Sequence, residues 1–165
     1  MLVNTTMAEL SDLAFRTAFI VYIVALILAF IYYGRVNSVI EARREALAEQ
    51  KVLVGAGGPE VVEKQKPDED MIANARKWAG MTQALVWVGV ALHLVAFVTR
   101  GLAAGRFPLG NLYEYILFMT AVIMVVAAVV IQRKNWHTVW PWLLFPMVIA
   151  MFLNSTVFHL SLIHI

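Results

Sequence analysis

The sequence predicts an all-α polytopic membrane protein with four transmembrane helices and a long charged loop between the first and the second. Hydrophobic residues make up 61% of the 165 residues and charged residues only 15%, which leaves too few charges to cover a water-soluble surface. Four runs are long enough, and poor enough in charge, to cross a bilayer as helices. None of them alternates polar and apolar residues with a period of two, which argues against a β-barrel.

The four predicted spans cover residues 17–34, 78–99, 112–131 and 138–158. All are rich in Val, Ile, Leu, Ala, Phe and Met, and the third carries an acidic residue, Glu114, in its first turn.

The charged segment between the first two spans has two predicted parts. Residues 36–53 have a mixed-charge pattern that predicts a helical extension of the first span. Residues 55–70 begin with glycines and Pro59 and continue as a charged stretch without apolar periodicity. They are therefore predicted to form a flexible linker.

Arginine and lysine between the spans predict the orientation of the chain in a plasma membrane. Residues 35–77 contain eight basic residues and residues 132–137 add two, whereas the remaining three lie near the opposite ends of the spans. These two basic loops are predicted to be cytoplasmic. The external segments are then the N-terminal residues 1–16, the loop 100–111 and the tail 159–165.

Composition also excludes several classes of function. The chain has no cysteine, so disulfides, thiolate metal sites and thiol redox chemistry are absent. Its net charge is +2, too small to indicate a nucleic-acid partner. No catalytic residue is predicted.

The segment most typical of a functional site is residues 106–115, RFPLGNLYEY, at the mouth of the third span. Asn111 is a candidate N-cap, and Glu114, three residues later, completes a capping-box pattern where the helix dipole favours a negative charge. Pro108 and Gly110 are predicted to shape the turn before it. Local structure thus explains part of the pattern, but ionisable groups at membrane depth are also functional candidates.

Histidine is the other candidate, because it ligates heme iron and relays protons. His93 lies inside the second span, six residues before its end and roughly 9 Å deep at the rise of a helix. Gly89, one turn earlier, is predicted to leave room beside the imidazole. His159, at the outer end of the fourth span, is the second candidate metal ligand. His137 and His164 are assigned no role.

Together with residues 10–16 (LSDLAFR), the stretch 99–114 (TRGLAAGRFPLGNLYE) resembles the start of the System II cytochrome c biogenesis protein of the CcsA or ResC type, in particular the actinobacterial form called CcsB. The resemblance covers residues 10–158, and Arg-x-Pro-x-x-Asn-x-Tyr-Glu is its most specific element. It implies a protein that moves heme across the membrane and presents it outside for attachment to apocytochrome c. The implied partner is a ResB-type membrane subunit, with this chain at most one part of a heme-attachment complex.

The resemblance also implies roles for individual residues. His93 is expected to be a heme ligand or pocket residue, with packing between helices as the alternative that we favour. Arg106 would pair with a heme propionate, since a guanidinium suits carboxylate geometry. Tyr113 would pack against the porphyrin edge, while Glu114 and Asn111 hold the loop.

The sequence departs from the family pattern after the fourth span. It lacks the Trp-rich external segment and the histidines that flank it, and members of the family have more than four spans. The chain is therefore expected to be an N-terminal fragment that binds heme weakly or not at all. Residues 160–165 (LSLIHI) match the translation of a transposase adapter used in sequencing libraries and are expected to be read-through.

A non-heme membrane protein, either a scaffold or a small transporter component, is the competing interpretation. The segment 106–114 would then serve only as a capped turn. Transporters often carry internal repeats, and the two halves of this sequence show none, which disfavours a transporter more than a scaffold.

Overall fold

The computed structural model describes residues 5–55 and 69–163, with side chains described for 5–48 and 69–156. These residues form four α-helices and no strand: α1 (Thr5–Gly55), α2 (Glu69–Ala104), α3 (Leu112–Lys134) and α4 (Trp140–Ile163), with a short 3-10 helix, His137–Val139, before α4. All four α-helices are long and apolar enough to cross a membrane. The predicted fold class is confirmed: the chain is an all-α, multi-pass membrane protein.

The helices form a bundle in which each packs on the next along the chain and α1 closes the ring against α4. The pairing of α1 with α2 is the most extensive and is antiparallel, since Ser11 donates a hydrogen bond to the carbonyl of Ala96 while the ring of Tyr22 covers Gly89. We call the end of the bundle that carries residues 105–111 the turn end. The opposite end, which carries Asn135 and His137, is the loop end.

Buried positions in α1 and α2 recur with alternating spacings of four and three residues. In α1 these positions are Ser11, Phe15, Ala18, Tyr22, Ala25 and Ala29. In α2 they are Ala75, Ala79, Thr82, Val86, Gly89, His93 and Ala96. A period of 3.5 residues keeps one seam facing the partner helix, and small residues along that seam let the two backbones approach closely.

Two helices extend beyond the predicted spans. The 51-residue helix α1 is roughly 75 Å long, far longer than the ~30 Å hydrocarbon core of a bilayer, and it includes the predicted extension 36–53. Glu69 and Asp70, predicted to lie in the flexible linker, instead form the first turn of α2, where acidic residues favour a helix N-terminus. The linker residues 56–68 lie outside the described part of the chain.

The end of α2 also differs from the prediction. Residues 100–104, expected in the external loop, continue the helix as far as Ala104. Alanine and leucine in this stretch are strong helix formers, so the helix ends only where Gly105 adopts a positive φ of 62°. The connection between α2 and α3 is therefore a tight turn of residues 105–111.

Polar side chains tie α4 to the bundle near the loop end. The Trp140 indole donates to Gln83 Oε1 at 3.1 Å, and Gln83 Nε2 donates to the carbonyl of Ala128 at 3.2 Å. Trp140 is fully buried, whereas Trp136 and Trp142 are exposed.

Candidate functional site

The turn between α2 and α3 ends in an N-cap. Asn111 has extended backbone angles, and its Oδ1 accepts a hydrogen bond from the backbone N–H of Glu114 at 2.8 Å. This bond satisfies one of the four N–H groups that an α-helix leaves without partners at its N-terminus. The predicted role of Asn111 is confirmed.

The second half of the predicted capping box is displaced by one residue. The carboxylate of Glu114 accepts from the backbone N–H of Gly110 at 2.7 Å, not from that of Asn111. Glu114 is only 2% exposed. The buried side chain of Glu114 therefore holds the residue before the N-cap in place, while Glu114 itself belongs to the first turn of α3.

Glu114 also pairs with two arginines. Arg106 Nη1 lies 3.2 Å from Oε2, and Arg100 Nε lies 3.5 Å from Oε1. The Arg100 side chain is 16% exposed, whereas that of Arg106 is 50% exposed. One buried carboxylate thus links the last turn of α2, the connecting turn and the first turn of α3.

Arg100 was not among the predicted site residues, because it was expected in the external loop 100–111. The available signal was its position at the end of an apolar helix, with an acidic residue at the start of the next helix across a short turn. Charges at membrane depth are usually paired, and Glu114 is the acid within reach.

Apolar contacts also hold the turn between α2 and α3 in place. Phe107 packs on Phe97 and Phe118, with ring centroids 5.8 and 6.1 Å apart. Pro108 is buried and lies against Gly101, where an added Cβ would come within 3.2 Å of its ring. The predicted shaping role of Pro108 thus has a physical basis in this close contact.

Gly110 is a second close contact within the turn. An added Cβ at this position would overlap the guanidinium of Arg106. The same guanidinium donates to the carbonyl of Phe107 at 3.3 Å. Absence of a side chain at Gly110 is therefore what allows Arg106 to fold back over the turn and reach Glu114.

Tyr113 lies in the core of the turn end. Its ring is 5.9 Å from that of Phe15 and 5.2 Å from the Arg100 guanidinium, and Asp12 lies near its hydroxyl. Tyr113 is 8% exposed. Its ring is covered by protein rather than open to a porphyrin edge.

His93 is fully buried and lies further into the bundle than the turn. Its Nε2 lies 3.3 Å from the Thr120 hydroxyl, which is six residues past Glu114 along α3, or roughly 9 Å deeper. Phe15 and Tyr22 approach the imidazole, with ring centroids at 5.9 and 6.0 Å. His93 is therefore not level with the turn.

Two polar atoms around His93 are buried without a hydrogen-bond partner. They are His93 Nδ1 and the Tyr22 hydroxyl. The space predicted beside Gly89 is occupied by Tyr22, whose Cε1 would lie 2.6 Å from a Cβ added to the glycine. The chain thus fills the expected pocket with its own aromatic side chain.

The structure brings together Arg106, Glu114, Tyr113 and the turn residues, and it places His93 apart from them. In the described ranges, three or more His, Asp or Glu side chains do not converge on any candidate metal site. The side chains of His159 and His164 lie outside the described residues. Comparisons with protein-family models, with curated proteins and with solved structures find no match for this chain.

Proposed function

We propose that this chain serves in a heme-handling cytochrome c assembly factor of the plasma membrane, with its N-terminus and its turn end outside. The observation that carries the proposal is Arg106. Its half-exposed guanidinium is held by a buried carboxylate at the end of the bundle. Three exposed apolar side chains follow it closely in the sequence: Phe107, Leu109 and Leu112.

The chemistry of this surface suits an amphipathic carboxylate. Heme combines an apolar macrocycle with two propionates, and a guanidinium pairs with carboxylates through several N–H donors. Arg106 uses Nη1 for Glu114 and for the Phe107 carbonyl, and its side chain is half exposed. Glu114 positions Arg106, and the neighbouring apolar side chains supply contacts for the macrocycle.

His93 does not fit an axial-ligand role in this packing. It is fully buried, Thr120 lies at Nε2, and two aromatic rings flank the imidazole. We therefore assign His93 to helix packing. The partners implied by the resemblance, a ResB-type subunit and apocytochrome c, belong to the same proposal.

A heme titration tests the role of Arg106. The purified chain in detergent micelles is titrated with heme and with heme dimethyl ester, which lacks free carboxylates, and binding is followed by absorbance. We expect heme to bind about tenfold more tightly than the ester, as one charge-assisted pair implies. Arg106→Ala should remove that preference, while Arg133→Ala, at the loop end, should keep it. Equal affinity for the two compounds in the unaltered chain would overturn the proposed contact.

Cytochrome c maturation in the host cell tests the function itself. Deleting the gene should abolish heme-stained c-type cytochromes, and the unaltered gene should restore them. Restoration by Arg106→Ala at normal protein level would reject Arg106 as the functional group. Normal cytochromes in the deletion strain would instead favour a non-heme scaffold, for which residues 105–111 are a capped turn and no more.

A further inference from the structure

A cleft of about 730 Å³ opens at the loop end, between the part of α1 beyond Tyr32 and the first turns of α2. It is separate from the turn end and plays no part in the proposed heme contact. Its volume falls within the range typical of small-molecule sites. Residues of both helices and of the connection to α4 line it.

The lining has a polar and an apolar part. Arg43 and Arg76 supply two guanidinium groups, and His137 and Asn135 add polar atoms from the connection between α3 and α4. The remaining wall is mainly aliphatic, from Val36, Val39, Ile40, Ile72, Ala75 and Ala79. A ligand that fits this lining is anionic at one end and apolar at the other.

The two arginines have no acidic partner in the described part of the chain. The ion pairs of Glu114 with Arg100 and Arg106 lie at the opposite, turn end. His137 Nδ1 is a buried atom that likewise has no hydrogen-bond partner. Its ring stands edge-on to that of Tyr32, which also lines the cleft, with ring centroids 6.4 Å apart.

The position of the cleft indicates where its ligand comes from. Tyr32 and Ala79 lie within the apolar parts of α1 and α2, whereas Arg43 lies 11 residues beyond Tyr32 on α1, roughly 16 Å further along the helix. The cleft therefore runs from the edge of the hydrocarbon core into the headgroup region. Basic clefts between transmembrane helices at this level bind the headgroups of acidic lipids.

We propose that this cleft binds an anionic phospholipid, with its phosphate between Arg43 and Arg76 and an acyl chain along the aliphatic wall toward Tyr32. The guanidinium groups neutralise the phosphate, and the lipid in turn joins the projecting part of α1 to α2. The inference does not depend on the proposed heme contact, because it uses different residues at the opposite end of the bundle.

Native mass spectrometry of the whole chain, released from mixed micelles of phosphatidylglycerol and phosphatidylcholine, tests this proposal. We expect the unaltered chain to retain phosphatidylglycerol in preference to phosphatidylcholine. The double variant Arg43→Ala/Arg76→Ala should lose about fivefold of that preference for each arginine removed. The matched control Arg44→Ala/Lys77→Ala removes the same charge from adjacent positions that do not line the cleft, and it should keep the preference.

Three results would overturn the proposal: equal retention of the two lipids by the unaltered chain, an equal loss of preference in the control, or displacement of the lipid by millimolar inorganic phosphate. The last would mean a simple anion site. Circular dichroism checks the helix content of every variant. If the alanine pair fails to fold, Arg43→Gln/Arg76→Gln keeps the stems of the side chains and removes only the charge, and retained preference in that variant would also reject the site.

Discussion

The two ends of the bundle treat basic residues in opposite ways. At the turn end, Arg100 and Arg106 converge on the buried carboxylate of Glu114. At the loop end, Arg43 and Arg76 line a cleft with no acidic partner in the described residues. A buried charge that is paired within the protein contributes to its fold, whereas exposed arginines such as Arg43 and Arg76 stay available to an anion. The comparison separates arginines that are already paired within the chain from arginines that have no acidic partner in the described residues.

Glu114 also alters how the turn end itself should be understood. A capping glutamate alone can be replaced by glutamine at little cost, because glutamine serves a capping box as well. In this structure both carboxylate oxygens face guanidinium groups, so the negative charge matters even without a ligand. A functional effect of a Glu114 variant therefore has to be separated from an effect on stability.

The largest expected effect concerns which side of the membrane each end faces. Reporter fusions at Pro59 and Asn135 should read cytoplasmic and a fusion at Gly105 external, because ten of the 13 basic residues lie on the loop side and such residues are retained in the cytoplasm. Alkaline phosphatase and green fluorescent protein give opposite all-or-none signals. An external signal at Pro59 would reverse the assignment of the two ends, and it would place the proposed heme contact in the cytoplasm.

Breaking the ion cluster should have the next largest effect. Glu114→Gln leaves Arg100 and Arg106 without their carboxylate, and we expect a loss of about 3 kcal/mol in unfolding free energy. This loss is at the low end of the range for breaking a buried ion pair, because Arg106 is half exposed. Denaturant unfolding in micelles measures it.

Glu45→Gln, at an exposed position of α1, is the control and should cost nothing measurable. An equally small effect of Glu114→Gln would mean that the two ion pairs contribute little. Glu114 would then be available for a purely functional role, and the contrast between the two ends of the bundle would disappear.

The fold class could be predicted because uncharged runs of helical length have few alternatives in a membrane. The cap at Asn111 could be predicted because it depends on residues three apart in the chain. The pairing of Arg100 with Glu114 could not, because it required knowing that α2 continues to Ala104 instead of ending at Thr99. The contact of Tyr113 with Asp12 joins helices that are distant in sequence.

The buried seam between α1 and α2 could not be predicted, for a different reason. In a soluble helix, polar residues mark the outer face and reveal which side is buried. Here the lipid-facing side is apolar too, so Ala18, Ala25 and Ala29 do not stand out by hydropathy. Their small size was the available signal, since close helix contacts in membranes favour small residues. His93 lies 11 residues before the end of α2 instead of six, because α2 continues to Ala104.

A variant of His93 tests the region between the two ends. We expect His93→Ala to reduce unfolding free energy by about 2 kcal/mol, through the cavity it leaves and the lost contact with Thr120, which alone is worth about 0.6 kcal/mol in membranes. Heme absorbance, where the chain binds heme, should be unchanged by the substitution, and added imidazole should have no effect. Lost absorbance that imidazole restores would show instead that His93 is an iron ligand and that this region opens to admit heme.

The smallest expected effect isolates the contact between Arg106 and Gly110. Gly110→Ala places a Cβ against the Arg106 guanidinium, and the flexible side chain can move away only by weakening its pair with Glu114. We expect a loss of about 1 kcal/mol, the upper end for a half-exposed ion pair. In an Arg106→Ala background the same change should cost close to nothing, because the two positions are coupled only through the guanidinium.

Gly34→Ala, where no atom lies within 4 Å of the added Cβ, is the control and should stabilise α1 slightly through helix propensity. An equal cost of Gly110→Ala with and without Arg106 would mean that the turn itself requires a glycine. The close contact between Gly110 and the guanidinium would then not be what holds Arg106 in place at the surface.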